Sequence, residues 1–167
     1  MELRMQSHHW EHRAPDWAAA AVCGFAAGAA VMVLELFWST MVSGGSPWRT
    51  SHMVAALVLG PDALQSMRFS IGIVALALAT HYLLGVVYGL VLAALIAPFR
   101  LDSSAPMVLL TGALFGLALY LFNFYGTVRF FSWFAELRGG PTLVAHLIFG
   151  MAAALMYWQL ERRAADQ

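Results

Sequence analysis

Apolar residues run through this chain in four long blocks, each close to the ~20 residues needed to cross a bilayer as a helix. The first covers about Ala18 to Val42 and the second about Ile71 to Ala97. The third covers about Met107 to Val128 and the fourth about Thr142 to Leu160. The pattern predicts an all-α fold, an integral membrane four-helix bundle over about residues 18–160. A flexible leader precedes it, about 1–17, and a polar tail follows, about 161–167. The first block is longer than the roughly 7–15 residues of a signal-peptide core. Ala20-Ala21-Val22-Cys23 opens it instead of closing it, so it is expected to remain as an uncleaved helix.

The connections are unequal. Pro98 to Pro106 is a short link of the kind that joins antiparallel helices. The first connection holds a shorter apolar run at about residues 51–60, too short to span and expected to form an interfacial or re-entrant helix. The third carries Phe130, Phe131, Trp133 and Phe134 between Arg129 and Arg138, an aromatic group expected at headgroup level. Both elaborate connections fall at the same end of the bundle, the outer end.

Small residues recur at helical spacing beside polar ones. Gly24 and Gly28 are followed by Glu35, and Gly112 and Gly116 by Asn123, with the same steps. His81, Gly85 and Gly89 accompany Tyr88 in the second block; His146, Gly150 and Ala154 accompany Tyr157 in the fourth. Steps of three, four and seven stay on one helix face, and glycines there let backbones approach closely. The first two helices therefore resemble the last two, as in a parallel repeat of two hairpins.

Composition agrees with a membrane setting and narrows the chemistry. Hydrophobic residues make up 61% and charged residues 11%, more apolar surface than a soluble fold of 167 residues can hide. All nine basic residues are Arg and balance nine acids, with no basic stripe, so no nucleic-acid partner is expected. Cys23 is the single cysteine, which excludes an internal disulfide and a cysteine metal cage. Four spans put both termini on one side, with Arg4, Arg13, Arg100, Arg162 and Arg163. Arg49, Arg68, Arg129 and Arg138 lie on the other, which leans toward cytoplasmic termini.

Glu35 is the residue that most asks for an explanation. An acid inside a membrane helix costs about 2.5–3.5 kcal/mol on insertion scales, so it must face the interior, paired or protonated. With His81 and His146 it offers two nitrogens and one carboxylate, a donor set suited to zinc or non-haem iron. His81 and His146 on separate helices are also the minimum for a bis-histidine haem b, although their expected depths differ by roughly 9 Å. A proton-linked path through the same residues is a further reading, and helix locking by interhelical hydrogen bonds another. Asn123 would orient a histidine or bond across helices, with Tyr125 and Tyr88 nearby. His52 would reach the outer mouth if its short helix folds back. The leader's His8, His9 and His12 are expected to be solvated. No nucleotide loop, HExxH or GxSxG occurs, so an orthodox ATPase or hydrolase has no support.

Gly45-Ser46-Pro47-Trp48, His81-x-x-x-Gly85, Asn123-Phe124-Tyr125-Gly126, Trp133-Phe134-Ala135-Glu136 and Ala145-His146-Leu147 together resemble small four-helix inner-membrane proteins of proteobacteria. That family has no assigned activity. Some of its members carry a sodium:proline symporter label, but four helices are far too few for that transporter architecture. The resemblance implies the architecture and the cell inner membrane, and transfers no catalytic residues.

The expected function is a non-enzymatic membrane binding or accessory protein. It would hold a metal or other small ligand at Glu35, His81 and His146, supported by Asn123, Tyr125, Tyr88 and His52. The alternatives are a small proton-linked solute transporter acting as an oligomer, and a redox protein with haem b or metal at His81 and His146. Expected partners are the lipid bilayer and a second copy or larger membrane complex.

Overall fold

In the computed structural model, residues 14–42 and 46–165 are described; the leader histidines and Gly45 lie outside them. The Asp16 carboxylate accepts from the Ala19 N–H at 2.9 Å and caps the first spanning helix, α1 (Trp17–Phe37). At its outer end α1 widens into a π turn, Trp38–Val42. The Thr40 hydroxyl donates to the Leu36 carbonyl there, at 2.7 Å, satisfying a carbonyl at the helix end.

The short helix of the first connection, α2 (Trp48–Leu59), begins earlier than its apolar run and stops at Gly60. Gly60 has φ 81° and ψ −179°, a backbone state that side chains forbid. A 3-10 turn, Pro61–Leu64, leads to α3 (Ile71–Phe99). Pro98 and the left-handed Arg100 end α3.

After a short link, α4 (Ala105–Leu121) also ends in a π turn, Phe122–Gly126. Two 3-10 turns, Thr127–Arg129 and Ser132–Leu137, cross the outer end to α5 (Gly140–Ala165). α5 runs as far as Ala165, into the stretch read as a polar tail. Glu161 is buried there and accepts from the Tyr157 hydroxyl at 2.7 Å. Four helices are long and apolar enough to cross a membrane, and no strand occurs among the described residues. The protein is an all-α, multi-pass membrane bundle.

The glycine pattern becomes two helix crossings. Gly24 and Gly28 of α1 face Gly85 and Gly89 of α3, where a Cβ on Gly85 would sit 2.8 Å from the Gly24 carbonyl oxygen. Gly112 and Gly116 of α4 face Gly150 and its neighbours on α5, where a Cβ on Gly150 would sit 2.8 Å from the Gly116 nitrogen. Backbones this close leave no space for a methyl group, so dispersion between main chains holds each hairpin.

The hairpins join along one seam. Ala20, Cys23 and Ala27 of α1 share a core with Ala153, Ala154 and Tyr157 of α5, and the Asp16 N–H donates to the Tyr157 hydroxyl at 3.0 Å. A two-fold repeat would make α3 and α4 pack equally closely, yet they touch only sparsely. The core therefore fills the inner half of the bundle, and the outer half is left hollow.

Candidate functional site

The hollow is a cavity of about 1070 Å³ walled by all four spanning helices and roofed by the outer connections. α2 contributes Arg49, Thr50, Val54 and Leu57 to its lining; the third connection contributes Phe131, Phe134 and Leu137. The two roof segments are pinned together. Trp133 donates its indole N–H to the Met53 carbonyl at 3.2 Å, and Arg49 pairs with Glu136. The aromatic group of the third connection is thus divided. Phe134 is buried against Tyr120 and Phe124, whereas Phe130 is 77% exposed.

Glu35, His81, Tyr88, Asn123 and His146 all line this cavity. His81 Nε2 lies 3.0 Å from the Gly28 carbonyl on α1. A carbonyl only accepts, so this nitrogen carries the hydrogen and Nδ1 is left as an acceptor. His146 Nδ1 lies 2.8 Å from the Thr142 carbonyl and donates in the same way. The Asn123 amide nitrogen stands 3.4 Å from His146 Nε2, and the Asn123 oxygen accepts from the Tyr88 hydroxyl at 2.8 Å. A chain Tyr88–Asn123–His146–Thr142 therefore crosses the α3–α4 gap that the helices themselves leave open. Asn123 reaches it from a π turn, whose extra width re-aims the side chain. The Thr127 hydroxyl donates to the Asn123 carbonyl at 2.5 Å and steadies that turn.

Glu35 is different. It is half-buried, faces the cavity and has no hydrogen-bond partner among the described residues. Glu35, His81 and His146 share one cavity without gathering at one point: among the described residues no group of three His, Cys, Asp or Glu is placed to hold a metal ion.

Two of the expected supporting residues lie elsewhere. Tyr125 is 55% exposed, outside the cavity, with the Arg138 guanidinium 4.3 Å from its ring centre. His52 is buried beneath α2, with Nδ1 2.7 Å from the Ala63 carbonyl and Nε2 2.9 Å from the Arg68 carbonyl. It ties the return segment of the first connection to α2 and does not line the cavity.

The cavity wall is exposed along one side. Leu34 and Phe37 of α1, Trp38 of the π turn after it, and Pro141 and Val144 of α5 line it and are also exposed, Trp38 by 43% and Val144 by 51%. This rim is apolar and lies toward the outer ends of two helices long and apolar enough to cross a membrane. Sequence reasoning missed the rim and the backbone carbonyls of Gly28 and Thr142 as partners. The opposite charges of Arg49 and Glu136 in the two outer connections were the one legible hint of a pinned roof.

No family model matches the chain, and neither a curated protein nor a solved structure matches it.

Proposed function

We propose that this is an integral membrane binding protein that draws a small amphipathic molecule from the bilayer into its outer cavity. The cavity itself carries the reading. At about 1070 Å³ it lies just above the roughly 300–1,000 Å³ usual for ligand sites. Its walls are apolar, with a few polar side chains converging from all four spanning helices. Glu35, His81 and His146 receive the polar part of the ligand, while Asn123 and Tyr88 hold His146 in place. The family resemblance and the arginine distribution support the cell inner membrane with cytoplasmic termini.

Ala145 is buried on the cavity wall, so Ala145→Phe adds a ring to the space without replacing any residue of the polar row. Protein purified in a mild detergent should carry a stoichiometric small amphipath, detected by mass spectrometry of an organic extract. The Ala145→Phe protein, folded by circular dichroism, should lack it. Equal small-molecule content in the two proteins would overturn the reading.

A further inference from the structure

We propose that the ligand is a lipophilic cation, its positive centre seated against Glu35; this rests on the binding reading above and names the class of molecule bound. The ring and phenol donors of the polar row are already spent within the protein: His81 on Gly28, His146 on Thr142 and Tyr88 on Asn123. The strongest group left facing the space is the carboxyl of Glu35, which no described residue engages. His81 Nδ1 adds a second acceptor. An anionic head would meet that carboxyl with no free cation to offset it. Arg49 is the one arginine on the lining and is already paired with Glu136, and the chain has no lysine.

Two more observations fit a cation. The lining includes the aromatic side chains of Trp38, Phe122 and Phe149, and aromatic ring faces attract positive charge. An exposed apolar rim suits entry from lipid, and such entry selects a cation whose charge is wrapped in hydrocarbon. A carboxylate in a lipid-open cavity is then paired by the ligand that the cavity was shaped to hold.

The test uses three molecules of similar shape and different charge, with the full chain in lipid nanodiscs and empty nanodiscs as background. These are tetraphenylphosphonium, tetraphenylborate and neutral triphenylmethanol, measured by equilibrium dialysis. Tetraphenylphosphonium should bind saturably, at least tenfold more tightly than tetraphenylborate. Glu35→Gln should weaken it at least tenfold with an unchanged melting temperature, and Ala145→Phe should abolish it. Tetraphenylborate binding as well as the cation, or Glu35→Gln binding the cation like the unaltered protein, overturns the proposal. If the neutral molecule alone binds saturably, the cation inference falls and the binding reading stands. If none of the three binds, both fall.

Discussion

Individual residues carry unequal weight here, and the glycines separate most cleanly. A methyl group on Gly150 would press into the backbone of α4, whereas one on Gly140 would meet nothing within 4 Å. Gly150→Ala should therefore destabilise the protein by about 1–3 kcal/mol, the usual range for overpacking. Gly140→Ala should stay within about 0.5 kcal/mol. Thermal unfolding in detergent measures both, and equal effects would contradict the α4–α5 crossing. The spacing of Gly112, Gly116 and Gly150 already marked them as packing residues. The partner of each was not legible, because period and composition do not name the helix opposite. Tyr125 shows the same limit: it neighbours Asn123 in sequence, yet the π turn sends it outward beneath Arg138.

At the level of elements, the outer roof is held by two kinds of contact with different worth. The Arg49–Glu136 pair is solvent-exposed on both sides, so screening and side-chain entropy reduce it to under about 1 kcal/mol. His52 is buried and meets two carbonyls, which an imidazolium satisfies together and a neutral ring satisfies one at a time. His52→Phe removes both contacts and strands the Ala63 and Arg68 carbonyls, at a cost of about 1–3 kcal/mol. Chemical unfolding should therefore rank His52→Phe well below Arg49→Ala in stability. The reverse order would mean that the exposed pair, and not the buried histidine, fastens α2. The two π turns belong to this scale as well. Each ends the first helix of a hairpin at the outer end, and Thr40 within the first and Thr127 just after the second each bond back through the hydroxyl to a carbonyl four residues earlier.

For the whole molecule, the decisive feature is that the two hairpins join along α1 and α5 while α3 and α4 stay apart. The halves 1–103 and 104–167 are each a pair of helices able to insert before they associate. Expressed together as separate chains, they should co-purify from the membrane. Ala154 is fully buried in the joining core, so Ala154→Leu should force the seam apart and abolish co-purification. Retained association would show that the seam lies elsewhere. The same asymmetry explains the cavity. Tight packing of small residues fills the inner half, and the sparse α3–α4 contact leaves the outer half to the polar row and the aromatic wall.

The number of spans, the membrane setting, the small-residue faces and the cost of Glu35 were all determined by the sequence alone. Each depends on a local property: the length of an apolar run, a helical period, or the free energy of a charge in lipid. Tertiary structure decided the rest. It chose which glycine faces meet, put Tyr88 on Asn123 and His81 on a backbone carbonyl, buried His52 in the first connection, and left α3 and α4 far enough apart to open a cavity. Those outcomes depend on the rotation of one helix against another and on main-chain acceptors that every residue possesses. Neither leaves a mark on which amino acid occupies a position.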